Sequence, residues 1–392
     1  MGELRARTVN AADSAPAAAT EPEPLFVLMP GDVGDPGAPS GGNAYDLRMC
    51  RELAASGRPV HEVALPGGWP RPSAADRAGL EQALTGLPDG ALVLVDGLVA
   101  CGVPEIVVPQ TGRLRLAVLV HLPLADETGL DATVAAELEA RERETLRAAD
   151  AVIVTSGWAG RDAAERHALD EAKVHTVCPG TDPAPLARGS RGGAGDGGGH
   201  GGAEAGAPRL LCVAAVTPRK GQDLLAEALS QVKDAPWTCE FVGALDRDPD
   251  FTAHLRRVLD RNGLSDRVRL RGPLTGEPLA AAYDAADLFV LASHAETYGM
   301  VLTEALARGV PVVATAVGAV PDTVGRTPDG DVPGILVRPG DSGELAAAIR
   351  SWLTESSIHR LVTTTARTRR SGLQGWPEAA RRLDEVLARL RR

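Results

Sequence analysis

Aromatic residues are scarce in this chain, 3% of its 392 positions, so its cores must be filled mainly by Val, Leu and Ala, as in many α/β proteins. Cysteines number five, at 50, 101, 178, 212 and 239, with no C-x-x-C pair. Such spacing argues against zinc or a redox couple and fits reduced thiols in a cytoplasmic protein. No apolar run approaches the ~20 residues of a membrane-spanning helix. Residues 1–23 lack the apolar centre of a signal peptide and read as a disordered Ala/Pro/Glu leader. Clustered positive charge is missing as well: the formal net charge is -11 and acids mix with arginines, which disfavours a general nucleic-acid binder. The exception is the arginine-rich stretch from Arg360 to Arg392. It reads as the solvated face of amphipathic helices, with a peripheral membrane or nucleic-acid patch as the alternative.

What the chain does have is length for two cores and a repeating pattern. Short Val/Leu-rich runs at 25–30, 60–65, 91–97, 114–124, 151–156 and 173–179 alternate with helix-like segments, the clearest over 43–56, 74–87 and 131–149. Near-continuous apolar strands separated by helices mean a parallel sheet covered on both faces. Residues 185–208 are too glycine-rich to pack and read as a flexible linker. The alternation then restarts, with strands expected at 209–216, 239–245, 268–274, 288–294, 310–317 and 334–339, and a last amphipathic helix over 377–390. The expected fold is thus two Rossmann-like, doubly wound α/β domains, 24–184 and 209–370. The final segment 371–392 is expected to pack back on the first domain. Strand C-terminal ends of such sheets bind ligands, which puts the site in an interdomain cleft.

Within 292–315 the sequence reads ASHAETYGMVLTEALARGVPVVAT. Glu296 falls in the loop after a strand, and Glu304 about one turn into the helix that a Tyr298-Gly299 turn opens. Free backbone N–H groups from Thr297 and Tyr298 through Gly299, Met300 and Val301 would face an anion such as a diphosphate, with carboxylates on either side for sugar hydroxyls. An ordinary strand-loop-helix with dipole-complementing acids has the same pattern. A second segment, AAVTPRKGQDLL at 214–225, sets Lys220 between a strand and a helix, where a fixed cation would meet a leaving diphosphate or merely solvate a helix start. A third, at 31–47, is a glycine-rich loop ending in Ser40-Gly41-Gly42-Asn43, whose amides can approach a phosphate closely. It lacks the G-x-G-x-x-G spacing of a dinucleotide fold. His121 ends a very apolar strand, with Asp126 and Glu127 close by, and PGTD at 179–182 closes the first half as a turn.

Together these segments resemble the family 4 retaining glycosyltransferases of GT-B fold, from Leu25 to Leu390 apart from the leader and linker. The resemblance implies that Glu296 and Glu304 are the two glutamates of the E-x7-E signature, the first holding donor-sugar hydroxyls and the second the nucleotide ribose. It implies that Gly41 and Gly42 are the N-terminal Gly-Gly loop, and that His121 contacts the donor sugar near the reacting bond. It also implies that Lys220 and Gly221 end the G-R-x4-K-G element, and that PGTD is the hinge. Ala214-Ala215 replaces the usual Gly-Arg pair, so either Arg219 stands in for the missing cation from its neighbouring position or donor binding differs.

The expected catalytic residues are His121, Lys220 and Glu296. The donor site adds Gly41, Gly42, Arg219, Thr297, Tyr298, Gly299, Met300, Val301 and Glu304, and Asn43 and Glu127 are expected to face the acceptor. No cofactor is expected beyond the nucleotide sugar, UDP-linked rather than GDP-linked, and no metal. Asp246-Arg247-Asp248 has metal-binding D-x-D spacing but reads as a turn. The acceptor is a small molecule, a lipid-linked group or a glycan. A nucleotide-sugar epimerase or phosphorylase of the same fold and a non-catalytic nucleotide-sugar binder are the alternatives; a nicotinamide oxidoreductase fits worst.

Overall fold

In a computed structural model, which describes residues 23–37, 39–190 and 206–390, the apolar runs become two six-stranded parallel sheets. The first comprises β1 (Leu25–Pro30), β2 (Val60–Leu65), β3 (Leu92–Asp96), β4 (Arg115–Val120), β5 (Ala151–Val154) and β6 (Val174–Thr176), in the order β2-β1-β3-β4-β5-β6. The second comprises β7 (Arg209–Val213), β8 (Thr238–Val242), β9 (Val268–Gly272), β10 (Leu288–Leu291), β11 (Val312–Thr315) and β12 (Gly334–Val337), in the order β12-β11-β10-β7-β8-β9. The central strands β3, β4, β5, β10 and β11 are buried along their whole length, which is why they read as unbroken apolar runs.

Strand order reverses between β1 and β3 in the first sheet and between β7 and β10 in the second. Loops leaving these strands diverge to opposite faces and open a crevice at each reversal. The loop after β1 leads into the helix that starts at Gly41 and Gly42, the loop after β4 carries His121, and the segments after β7 and β10 carry Lys220 and Glu296. The expected strands are all present, but most overshoot. The run 114–124 leaves the ladder after Val120, and 288–294 after Leu291, so His121 and Ser293 to Glu296 are loop residues released from the sheet.

Helix Trp376–Arg389 returns to the first domain. Its Trp376, Ala379, Ala380, Leu383 and Leu387 pack into one core with Leu25, Tyr45, Met49 and Ile153. Arg58 pairs with Asp384 from the same helix. The crossing is tight at the 179–182 turn: Thr181 N–H donates to the Gln374 carbonyl at 2.8 Å, and Gly180 lies flat against Trp376.

Two expected boundaries shift. Glu23, assigned to the leader, is tied down because Arg58 donates to its carbonyl at 2.7 Å and Arg115 pairs with its carboxylate. The remaining leader residues lie outside the described residues, as do 191–205 of the expected linker. The linker's flanks are held: Arg188 pairs with Asp284, and the backbone N–H groups of Ser190 and Arg209 both donate to Asp287. Partly exposed carboxylates satisfy backbone donors there, which glycine content alone does not reveal.

Gly180→Ala tests the crossing. The new Cβ would sit 2.3 Å from the Trp376 backbone, and backbone cannot yield as a side-chain tip can. The expected loss is about 1–3 kcal/mol or more, read as a lower midpoint in thermal or urea unfolding.

Candidate functional site in the interdomain cleft

On the second domain, Gly221 takes a left-handed conformation (φ 63°) and brings the turn carrying Arg219 and Lys220 against the end of β10. A Cβ at Gly221 would lie 2.2 Å from the Ala292 carbonyl, so only glycine permits this approach. His294 N–H donates to the Arg219 carbonyl at 2.8 Å and closes the contact. The result is an ion pair: Lys220 Nζ lies 2.6 Å from Glu296 Oε1, which also accepts from the Ser293 hydroxyl at 2.7 Å. Glu296 itself is fixed from behind, since its carbonyl accepts from Ala319 N–H and Thr315 anchors Ser293.

The next residues form the start of helix Met300–Ala307. Gly299 sits at its N-cap with φ 87° and no side chain caps the first turn, so its amides are open to an anion. One turn in, Glu304 accepts a hydrogen bond from the Tyr283 hydroxyl at 2.8 Å. Arg219 reaches the Ala295 carbonyl at 3.2 Å, while its Nε is buried with no hydrogen-bond partner. Asp248, from the D-x-D spacing, is used as the N-cap of helix Pro249–Arg261, accepting from Phe251 N–H at 2.8 Å.

The first domain supplies the opposite wall. Ser40 caps helix Gly41–Ala55 by accepting from Asn43 N–H, leaving the Gly41 and Gly42 amides in the first turn. Gly42 lies against the His121 ring, where a Cβ would come within 3.0 Å, and Gly41 faces Met300 across the cleft. Two interdomain hydrogen bonds join the walls: Thr297 Oγ1 to the His121 carbonyl at 2.7 Å, and the Tyr298 hydroxyl to the Pro179 carbonyl at 3.4 Å. The fold thus brings His121, Gly41, Gly42, Lys220, Glu296 and the 297–301 segment to one place. Asn43 sits at the same helix start. Asp126, by contrast, is paired with Arg166.

Two residues without any sequence signal complete the wall. His121 Nε2 lies 2.8 Å from Asp46 Oδ1 and 3.6 Å from Asp96 Oδ2, and both carboxylates are buried. Asp46 reads as one more polar helix position and Asp96 as the end of a strand; only tertiary contact joins them. The three side chains place ligand-type atoms within 4.8 Å of one another, and the 2.8 Å contact is a direct hydrogen bond between imidazole and carboxylate.

Charge in the cleft is strongly coupled. Burial tends to raise the Glu296 carboxyl, but Lys220 and Arg219 outweigh it and hold it below its ordinary value. Burial lowers Lys220, and Glu296 only partly restores it. Glu304 goes up through burial, against the Tyr283 hydrogen bond. Glu127 is also raised by burial, with Arg219 and Arg247 of the facing domain pulling the other way, so it sits where the two walls meet. Burial would lower His121, yet the charge and hydrogen bond of the adjoining Asp46, above all, carry it up to about 9.

Breaking the Lys220–Glu296 pair from one side strands a partly buried cation. Glu296→Gln is expected to cost on the order of 3 kcal/mol in the ligand-free protein at neutral pH. Because the folded Glu296 value is depressed, its contribution is present above the unfolded carboxylate value and is lost as pH falls through the folded one. In urea titrations the gap between wild type and variant should therefore persist at pH 5–8 and close only below about pH 4.

Comparison with known proteins places this geometry. Residues 207–355 match the family described as glycosyl transferases group 1. The D-inositol 3-phosphate glycosyltransferase of Kineococcus radiotolerans is 33% identical over 267 residues, covering 63% of this chain and 59% of the relative. That of Mycolicibacterium smegmatis is 33% identical over 217 residues, 53% of this chain and 46% of the relative. The chain thus spans about half to three-fifths of the length of these curated relatives. Among solved structures, a sucrose-phosphate synthase from Thermosynechococcus elongatus superposes with TM-score 0.73 at 24% identity, covering 94% of this chain and 99% of that one. Anabaena HepE, solved with UDP and glucose, gives TM-score 0.72 at 20% identity over 94% and 100% of the two chains.

Proposed function

We propose that this protein transfers a hexose from a nucleotide-diphosphate sugar, with retention and without a metal: residues 207–355 match the group 1 glycosyl transferases, and the two-domain fold is shared with GT-B enzymes. The carrying observation is the Lys220–Glu296 ion pair at the mouth of an uncapped helix, facing His121 across the cleft. Cation, amides and carboxylate stand side by side, as a diphosphate joined to a polyhydroxylated ring requires.

Negative charge grows on the diphosphate as its bond to the anomeric carbon stretches, and the ring becomes oxocarbenium-like. Lys220, Arg219 and the amides of Gly41, Gly42 and residues 298–301 are preorganised to meet that charge. Glu296 accepts from ring hydroxyls and Glu304 from the ribose. A ribose hydroxyl is a second hydrogen-bond donor for the buried Glu304 carboxylate, which explains keeping an acid in that position. The acceptor hydroxyl attacks on the face the diphosphate leaves. The bond from the anomeric carbon to the phosphate oxygen breaks, a bond to the acceptor oxygen forms, and the acceptor proton passes to the departing phosphate. His121, held as a cation, is a hydrogen-bond donor at neutral pH and not a base, which disfavours attack from the opposite face.

UDP is the proposed nucleotide, in line with the HepE complex. Asn43 and Glu127 are proposed to border the acceptor, and a polyol is the first acceptor class to try, given the relatives' names. No helix among the described residues is long and apolar enough to cross a membrane, and all five cysteines are unpaired; a cytoplasmic setting is part of the proposal. Ala214-Ala215 in place of a Gly-Arg pair favours one rival, a nucleotide-sugar binder without turnover, and release of UDP from labelled donor separates the two.

Lys220→Ala is expected to lower turnover by about 100-fold with the fold retained, the scale of one lost preorganised charge contact. Near-wild-type rates would remove Lys220 from the site. Activity should survive EDTA, and an α-linked gluco-configured donor should yield an α-glycoside by anomeric proton coupling. A β-glycoside, or recovery of lost activity only with Mg or Mn, would sink the retaining or metal-free reading respectively.

A further inference from the structure

Behind the wall formed by His121 lies a buried carboxylate pair that the transfer chemistry above leaves without a role. Asp46, on helix Gly41–Ala55, is 3% exposed and directs Oδ1 to His121 Nε2 at 2.8 Å. Its other oxygen, Oδ2, is buried and has no donor as long as Asp96 is ionised. Asp96, the last residue of β3, is 7% exposed; Oδ1 accepts from Leu98 N–H at 2.6 Å, and Oδ2 is 3.6 Å from the same imidazole nitrogen. The two carboxyl groups bring oxygens within 4.8 Å of each other. Two buried carboxyls this close share one proton, because both cannot ionise cheaply. Burial first, and then Asp46, push the Asp96 value well up, which favours Asp96 as the member of the pair that keeps the proton, beside an Asp46 oxygen that otherwise has no partner.

The ring of His121 is immobilised as well. Gly42 lies on one side, the edge of Tyr45 on another with centroids 5.3 Å apart, and Thr297 grips the His121 carbonyl from the facing domain. With Nε2 committed to Asp46, Nδ1 has no hydrogen-bond partner among the described residues.

We propose that Asp46 and Asp96 are positioning residues: Asp46 holds the His121 imidazole as a cation with Nδ1–H available to an oxygen of the donor sugar or its phosphate, and a protonated Asp96 holds Asp46. This assignment rests on the glycosyltransferase reading for the identity of the ligand, but not for the state of the cluster. The roles of the two acids are unequal. Asp46 must carry charge, whereas Asp96 need only donate a hydrogen bond, which an amide does equally well.

The other ionisable groups around the cluster do not compete. Burial keeps Tyr45, Cys50 and Cys101 neutral, and Thr297 contributes an uncharged hydroxyl. The sign follows from the raised His121 value: the imidazolium and its ion pair are present at neutral pH and are lost as pH rises through about 9.

Proton NMR titration of the full chain, with the His121 resonance assigned by its loss in His121→Gln, reads the cluster directly. Wild-type His121 should titrate near 9, and turnover should hold through neutral pH and fall only above that value. Asp46→Asn should return the titration toward ~6.5, with kcat dropping over the same lower range and donor KM changing less. Asp96→Asn should leave both the titration and kcat within about threefold of wild type. An ordinary His121 value in the wild type overturns the proposal, as does Asp96→Asn being as damaging as Asp46→Asn. If Asp46→Asn fails to fold, the wild-type titration and Asp96→Asn still decide. A raised His121 value in a protein that turns over no nucleotide sugar would sink the transferase reading and leave the cluster standing.

Discussion

The buried ion pair between Lys220 and Glu296 is the constraint around which the second domain's cleft face is arranged. Two opposite charges out of water are tolerable only when each is held in register with further hydrogen bonds. The surrounding loops supply that register through Gly221 against Ala292, Ser293 on the shared carboxylate oxygen, Thr315 beneath Ser293, and Ala319 on the Glu296 carbonyl. A diphosphate arriving here meets a cation already in place, and a sugar meets a carboxylate that does not need to reorient. Preorganisation of this kind spares the reorganisation energy that flexible side chains in water would require.

The first domain answers with a different charge device. His121, Asp46 and Asp96 sit behind the cleft surface, and a glycine packs against the ring where any side chain would displace it. The two walls are then joined by a short hydrogen bond at Thr297 and a longer one at Tyr298, while helix Trp376–Arg389 clasps the first domain through apolar packing. Arg48 reinforces that clasp: it pairs with Asp182 at 2.6 Å and lies over the Trp376 ring.

Much of this was legible in the chain. Apolar runs bounded by glycine and polar residues mark strands that are buried on both faces, whereas the capping roles of Ser40, Asp131 and Asp248, whose side chains accept from free backbone donors at helix starts, emerge only in the structure. Overestimated strand ends have a common cause. Residues such as Leu122 and Ala292 prolong the hydrophobic run after the backbone has left the ladder, and periodicity cannot distinguish a buried loop from a strand. The Glu296–Glu304 spacing, Lys220-Gly221 and Gly41-Gly42 were visible because each is local, a turn or helix start with its chemistry attached.

Asp46 and Asp96 were invisible for the opposite reason. They are 50 residues apart on different elements, and they meet His121 only because β3 and β4 are neighbours in the sheet and helix Gly41–Ala55 crosses their ends. The sequence by itself determined which segments become strands and helices, the division into two sheets, and the local motifs at their loop ends, since backbone hydrogen bonding and side-chain periodicity act over short range. Tertiary structure alone decided which carboxylates are paired and which of them meet His121, because that depends on burial and on charges brought within a few ångströms by the crossing of distant elements.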